Sequence, residues 1–474
     1  MLRFPRRTAL ALTTLLTGAL LQAQPYTQPL WAVDTVRAIT YGWDTTYLGG
    51  IDTLKLDLFR PVGDGNASRP LLVAVHGGAW AAGTRQDLWP ICQAAAQRGY
   101  VAATISYRLR HHVPQNVSIS LGVDPCVYLP DSAELLRALY RAQQDLKGAI
   151  RFLKGRSAQD STNACNVFLY GESAGAITSL TAAFLDEEDE RPAACGALPA
   201  VPDPNLLLGG CHITGLPLTA AQRSRPDLGP VEGDLALNGT DARVAGIAAM
   251  YGALPTMALA EDWMQGPDTP AVFLYHQPCD AIVPNGTAPL LRDLSAYCAG
   301  GTWWSTHYPW SAGSAVLAPM LGSRSLANIQ DAAVCNAVLG QFPFSFNCIN
   351  VAQNGSFHYV NQAAVVVDSV FKAFSPVIVA NEALPCGTDA IADGPPSARA
   401  LLFPNPAVDA LTVVLPEELR TAQARLCDAT GRVLRSARMR GGRNLIDVAG
   451  LGNGAYILMF EDAPLPAERV IVAR

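Results

Sequence analysis

Between residues 40 and 107, apolar residues fall in short alternating or continuous runs, Thr53 to Phe59, Leu71 to Val75 and Val101 to Tyr107, separated by turns rich in proline and glycine. Runs of this length bounded by such turns predict successive β-strands. The alanine-rich stretch Leu88 to Arg98, of helical length, lies between the second and third. Strand, helix, strand in that order predicts a right-handed crossover and a parallel sheet with helices on its faces. Leu135, Leu136, Leu139, Leu146, Ile150 and Leu153 recur at mostly helical spacing through Ser132 to Lys154, with Asp131 or Ser132 as a cap. This helix feeds into Val167 to Tyr170, apolar or aromatic at every position, as expected of a central strand buried on both faces.

The pattern then breaks. Residues 186 to 242 cluster prolines, glycines and acids without a sustained period, which reads as a surface excursion near a binding site. Val244 to Tyr251 and Ala271 to His276 restore strands. Residues 300 to 357 form a second irregular insertion rich in aromatics, and Asn361 to Phe374 predicts a closing helix. Beyond a linker bearing Pro, Gly and Asp, short runs (Leu411 to Leu415, Arg425 to Cys427, Val433 to Arg435, Tyr456 to Phe460, Arg469 to Val472) alternate with Gly-containing turns, the habit of a small β-sandwich. The expected layout is therefore a signal peptide over 1–23, a catalytic domain over 24–382, a linker over 383–399 and a C-terminal domain over 400–474. The fold class is α/β, a mostly parallel central sheet with helices on both faces, followed by the small β-sandwich.

Half of the residues are hydrophobic and 16% are charged, enough apolar material for a large core and too little charge for disorder. Arg3, Arg6 and Arg7, the apolar stretch Ala9 to Leu21 and the small Ala23 read as an export signal. The apolar stretch is too short for an ordinary transmembrane helix, and no later segment has the roughly 20 uninterrupted apolar residues that spanning requires. Removing three arginines and no acids takes the formal net charge from −6 to −9. Nucleic acid is not an expected partner at that balance. Ten of the eleven cysteines (Cys92, Cys126, Cys165, Cys195, Cys211, Cys279, Cys298, Cys335, Cys348 and Cys386) precede the C-terminal segment. In an oxidising compartment these predict up to five disulfides of undetermined pairing. No CxxC pair is present, so zinc is not expected and no metal site is assigned.

The chemistry begins at Gly171-Glu172-Ser173-Ala174-Gly175, after the buried strand and before the apolar stretch Ala176 to Leu185. A serine in a tight strand-to-helix turn needs small residues two positions away on either side, and its hydroxyl is thrust out at the helix N-terminus. The pattern alone is weak; its placement between strand and helix gives it weight. His76-Gly77-Gly78-Ala79-Trp80 directly follows the strand Leu71 to Val75. Acyl transfer develops negative charge on a carbonyl oxygen, and backbone N–H groups fixed in advance stabilise it. Gly78 and Ala79, with Gly77 and the N–H of Ala174, are the expected oxyanion donors. Trp80 is placed to line an acyl or alcohol pocket, although an aromatic beside a core strand is as often packing.

A nucleophilic serine needs a base, and the chain has seven histidines. Serine followed by an acid and then histidine excludes His76, His111 and His112. Asp280 follows a strand end in the loop His276 to Pro284 and is the best acid; Asp293, in an expected helix, competes, and His276 reads as structural. His307 and His358 remain. His358 sits in the short loop Asn354 to His358 before the closing helix, where it can reach Ser173; His307, among aromatics, reads as a pocket wall.

Residues 50 to 375 resemble the carboxylesterase and hormone-sensitive-lipase-like branches of the α/β-hydrolase superfamily, through HGGAW at 76–80, Ser106-Tyr107-Arg108-Leu109, GESAG at 171–175 and the acid loop 276–284. The resemblance implies a Ser-Asp-His esterase that forms an acyl-enzyme and uses no cofactor. Ala79 and Trp80 stand where many relatives continue with glycine, and Arg110-His111-His112 replaces the usual Ala-Pro-Glu, which leaves the substrate open. Residues 400–474 resemble the type A sorting domain of the type IX secretion system, through Phe403-Pro404-Asn405-Pro406-Ala407 with Asp409, Asp428 to Leu434, and Leu451 to Tyr456. That implies a Bacteroidota-like origin, export through the periplasm and outer membrane by the type IX machinery, and release or surface attachment. The expected activity is hydrolysis of a small-molecule or polymer-borne ester. A prolyl-oligopeptidase-like peptidase shares the triad order, but HGGAW suits an esterase better. A catalytically dead surface-binding protein would have no need of Ser173, Asp280 and His358 together.

Overall fold

The computed structural model describes residues 24–112, 132–201, 218–290 except 262 and 265–269, 309–335 except 334, 357–382 and most of 400–472. Contacts divide the chain into two units, one up to Cys386 and one from Gly387.

The first unit is built on eight strands: β1 (Ala32–Thr45), β2 (Ile51–Val62), β3 (Arg69–Val75), β4 (Val101–Ile105), β5 (Thr162–Glu172), β6 (Gly246–Met250), β7 (Ala271–His276) and β8 (Ser325–Gln330). Their order across the sheet is β1-β2-β4-β3-β5-β6-β7-β8. The strand β2 pairs antiparallel with β1 and β4, and every pair from β4 to β8 is parallel. This is the mostly parallel sheet expected from the crossovers, in the α/β-hydrolase fold class that the resemblance implies. Side-chain alternation splits the core in two. Leu71, Val73 and Val75 of β3 face one side, with Leu139 and Leu146 of α2 (Ser132–Lys154) and Ile177 and Leu180 of α3 (Ala174–Phe184). Leu72 and Ala74 face the other, with Ala95 and Ala96 of α1 (Trp89–Ala96) and Val370, Phe371 and Phe374 of α4 (Ala363–Glu382). Helices thus cover both faces, as a parallel sheet buried on both sides requires.

Three expectations need correction. The strand β1 lies outside the predicted runs; much of it is exposed, so core burial imposes no clean alternation on it. The stretch 300–357 is not irregular throughout, because it contains Trp310–Gly313, the helix Ser314–Leu321 and the edge strand β8, whose side chains are nowhere fully buried. The closing helix runs past Phe374 and through Pro376 to Glu382, with Ile378 still in the core. With a mean hydropathy of 1.8 it is the one described helix long and apolar enough to cross a membrane; here its apolar face packs against the sheet. The capping candidate Asp131 and the expected signal 1–23 lie outside the described residues.

The described parts of 186–242 hold only short 3₁₀ turns and one bridge, Leu198 to Arg225. What orders them is α2. Its polar face is buried beneath this segment and donates to its carbonyls, Gln143 to Val231 (2.9 Å), Gln144 to Leu228 and Pro230 (2.9 and 2.8 Å) and Arg151 to Glu232 and Leu235, and to those of the residues flanking it, Lys147 to Leu185 (2.8 Å) and Lys154 to Arg243 (2.8 Å). Backbone groups without a ladder still need partners, and these side chains supply them.

The second unit is all β: β9 (Leu401–Phe403), β10 (Ala410–Leu415), β11 (Ala422–Cys427), β12 (Val433–Met439), β13 (Gly442–Asp447), β14 (Gly454–Phe460) and β15 (Glu468–Val472). They form antiparallel sheets β9-β10-β13 and β12-β11-β14-β15 around a core that includes Leu411, Val413, Leu426, Leu458 and Val470. The strands β9 and β13 were not among the predicted runs.

Candidate active site

Ser173 sits between β5 and α3 at φ 56° and ψ −123°, a conformation an L-residue holds only where the surroundings enforce it. The enforcement is visible in the glycines. A Cβ on Gly171 would lie 2.5 Å from the Gly175 carbonyl oxygen, and one on Gly175 would lie 2.0 Å from that of Val75. The Ser173 N–H bonds the Met250 carbonyl at 3.0 Å, fixing the turn to the neighbouring strand.

His358 lies against it, with Nε2 at 2.6 Å from Ser173 Oγ and Nδ1 at 2.7 Å from Asp280 Oδ2. Asp280 is 3% exposed, and its Oδ1 accepts the N–H groups of Ile282 and Val283 at 2.8 and 3.0 Å. Burial alone works to raise its carboxyl; hydrogen bonds from His276 and His358 outweigh that and hold it below its ordinary value. His276 is fully buried, 3.5 Å from Asp280 and bonded to the Val283 carbonyl and Ser314 hydroxyl, a supporting position. The structure thus brings the three sequence candidates together; His307 and Asp293 lie outside the described residues.

The acid loop is tied down by a Cys279–Cys335 disulfide, one of the alternatives the sequence left open. Cys165 is also disulfide-bonded. The number falls below the upper limit of five, because Cys92 and Cys195 are free thiols buried inside the fold, where apolar packing and not pairing accounts for them.

At the end of β3, Gly78, Ala79 and Trp80 have φ values of 111°, 52° and 55°. This left-handed run turns the chain so that Ala81 and Ala82 both donate to the Gly78 carbonyl. Gly77 touches the serine turn: a Cβ there would meet the Glu172 oxygen at 2.9 Å and Ser173 Cβ at 3.1 Å. The N–H groups of Gly78, Ala79 and Ala174 have no acceptor among the described residues. Tyr107 supports the turn by donating to the His76 carbonyl at 2.7 Å and stacking on the His76 ring at 4.5 Å. Trp80 is 3% exposed, bonds Thr178 through Nε1 at 2.9 Å, and lines a small apolar pocket at Ser173 with Leu135, Ile177, Ile282 and Leu290.

Sequence reasoning missed two groups. The Tyr251 ring is 4.4 Å from that of His358, and its hydroxyl donates to Glu172 at 3.0 Å. Glu172 also accepts from Tyr170 at 3.1 Å, and burial raises its carboxyl despite both bonds. Tyr251 closes a strand and Glu172 precedes the serine, so position marked both, but nothing local paired them.

Residues 56–120 match the BD-FAE family model, an esterase/lipase-like domain. Residues 401–472 match the secretion system C-terminal sorting domain. No curated protein sequence matches the chain. Among solved structures it is similar to Thermogutta terrifontis esterase 2, at 17% identity over 52% of this chain and 72% of that one, with a TM-score of 0.30. Esterase B from Lactobacillus rhamnosis is similar at 14% identity over 74% and 89% of the two chains, TM-score 0.34. A truncated carbohydrate esterase from gut microbiota is similar at 15% identity over 55% and 82%, TM-score 0.30. Likenesses this distant carry no argument about activity, which rests on the site.

Proposed function

We propose that this chain, an α/β-hydrolase ending in a secretion system C-terminal sorting domain, is an exported serine carboxylic-ester hydrolase. The observation that carries the reading is the continuous hydrogen-bonded path from Ser173 Oγ through His358 to Asp280, at 2.6 and 2.7 Å. At its Ser173 end follows Ala174, whose N–H, like those of Gly78 and Ala79, has no acceptor among the described residues.

In the proposed mechanism His358 Nε2 takes the proton as Ser173 Oγ attacks the ester carbonyl. Asp280 holds the ring by its Nδ1–H and stabilises the imidazolium. The N–H groups of Gly78, Ala79 and Ala174, with Gly77, receive the developing oxyanion. His358 then protonates the leaving alcohol, giving an acyl-Ser173 that water hydrolyses by the same route in reverse. No cofactor enters. The narrow pocket under Trp80 supports a short acyl group. The sorting domain supports passage across the outer membrane by the type IX route, followed by release or surface attachment, which favours an environmental ester.

The test is hydrolysis of p-nitrophenyl acetate, butyrate and octanoate by the full chain. Ser173→Ala and His358→Ala are each expected to lower kcat by about 10⁴-fold or more, with acetate preferred over octanoate. Hydrolysis that survives Ser173→Ala would remove the nucleophile assignment; cleavage of peptide anilides in preference to esters would move the reading to a peptidase.

A further inference from the structure

A second hollow, of about 390 Å³, lies around the other side of α2, within the size range of small-molecule sites. Its walls come from α2, the turn between β1 and β2, the chain after β4 and the segment 221–234. It is polar, and most of its charges are already engaged. Arg108 is paired with Asp145 and Asp44 at 2.8 and 2.7 Å, and Arg225 with Glu134 at 3.4 Å. Arg137 donates to the carbonyls of Ala194, Gly196 and Pro226, and Glu134 accepts the N–H of His112 at 3.1 Å.

Arg141 differs. It is 3% exposed, and among the described residues its one side-chain bond runs from Nη2 to the Arg110 carbonyl at 3.1 Å while its Nε has no partner. No carboxylate forms an ion pair with it among the described residues. A buried guanidinium left this way is costly unless a ligand completes it. Burial and the neighbouring Arg108 push it down to about 10.

His112 stands on the same hollow at 5% exposure, with Tyr47 edge-on to its ring at 5.2 Å. The ring bonds the backbone of Ser224, whose own N–H is spent on Ala221. The ring therefore donates to the Ser224 carbonyl, which leaves Nδ1, without a partner among the described residues, as an acceptor. Burial, then Arg141, Arg225 and Arg137, push His112 down to about 4 and keep it neutral.

We propose that this hollow binds a small hydroxylated carboxylate of the sugar-acid class, its carboxylate on Arg141 and a hydroxyl donating to His112 Nδ1, with Tyr47 against the ring. A guanidinium fork matches a carboxylate or a phosphate. The acceptor and aromatic wall beside it select a carboxylate that carries ring hydroxyls.

The experiment is calorimetric titration of the full chain with D-glucuronate, inorganic phosphate and glucose. Glucuronate is expected to bind with a Kd of about 1 mM or tighter, with phosphate and glucose at least about tenfold weaker. Arg141→Gln is expected to lose about tenfold or more in glucuronate affinity while hydrolysing p-nitrophenyl acetate at the unaltered rate. If that variant proves misfolded, His112→Phe replaces it, removing the acceptor and keeping a ring beside Tyr47. Ser173→Ala is expected to bind glucuronate like the unaltered protein, so failure of the ester reading and failure of this one are separable. No glucuronate binding by the unaltered chain, undiminished binding by a folded Arg141→Gln, or binding of phosphate alone would each overturn the proposal.

Discussion

The serine turn is held by backbone packed on backbone, whereas the described parts of 186–242 are held by the long polar side chains of α2. At Gly175 a Cβ would sit 2.0 Å and 2.5 Å from the carbonyl oxygens of Val75 and His76, so only hydrogen fits. On α2, by contrast, Arg137, Gln143, Gln144 and Arg151 reach across to carbonyls of a chain with no ladder of its own. Contact between main chains permits one residue type at a fixed position. A flexible side chain tolerates many sequences on the receiving side, because it bonds a carbonyl that every residue carries.

Gly175→Ala tests the first mode and should have the largest effect. Neither carbonyl oxygen is the end of a flexible side chain, so the sheet or α3 must shift. A stability loss of more than about 4 kcal/mol is expected, read as the denaturant midpoint, with ester hydrolysis lost alongside. An alanine variant within about 1 kcal/mol of the unaltered protein would show that the turn has slack.

Arg151→Ala tests the second mode. Its guanidinium donates to the Leu235 carbonyl at 3.0 and 2.9 Å, to that of Glu232 at 2.8 Å, and to the Glu232 carboxylate at 3.0 Å. Glu232 is half exposed and can return to water, so the loss should be about 2 kcal/mol. It should also be local, with faster proteolysis between residues 218 and 243 while the sheet stays folded, as measured by limited digestion and circular dichroism. Global unfolding as severe as that of Gly175→Ala would erase the contrast between the two regions.

The same contrast explains what could be read in advance. The strands β3 to β7 and the helices α1 to α4 are buried on the faces their periodicity exposes, so apolar spacing marked them. GESAG and HGGAW were legible because close approach restricts residue type. Asp280 and His358 were found by order along the chain and by their places at a strand end and before a helix. The strands β1 and β8 were missed because partial exposure relaxes alternation. The closing helix was read only as far as Phe374, yet α4 continues through Pro376 to Glu382. The hollow at Arg141 was invisible because its walls come from four separate segments, joined only when α2 takes up its polar partners. The pairing of Tyr251 with Glu172 was equally hidden, since the two lie at the ends of neighbouring strands, 79 positions apart.

That pair supplies the smallest and most selective test. Burial raises the Glu172 carboxyl although Tyr251 and Tyr170 both donate to it. An acid whose folded value exceeds its unfolded one, about 4.3 for glutamate, binds its proton more tightly when folded. Its contribution to stability is complete below that pH and is lost as pH rises through the folded value. Asp280 runs the other way: its depressed carboxyl contributes stability above the ordinary aspartate range and loses it as pH falls. Glu172→Gln keeps an acceptor for one tyrosine and turns an amide N–H toward the hydroxyl oxygen of the other; it cannot ionise and leaves Asp280 in place, so the Asp280 contribution cancels when the two proteins are compared. The difference between their Tm values should therefore move in favour of glutamine as pH is raised from about 4 to about 7. Parallel Tm curves would mean that Glu172 ionises in the folded protein as freely as in the unfolded one. The turn before Ser173 would then be open enough for water to reach its carboxylate, and the close packing that distinguishes this region from 186–242 would end at the glycines.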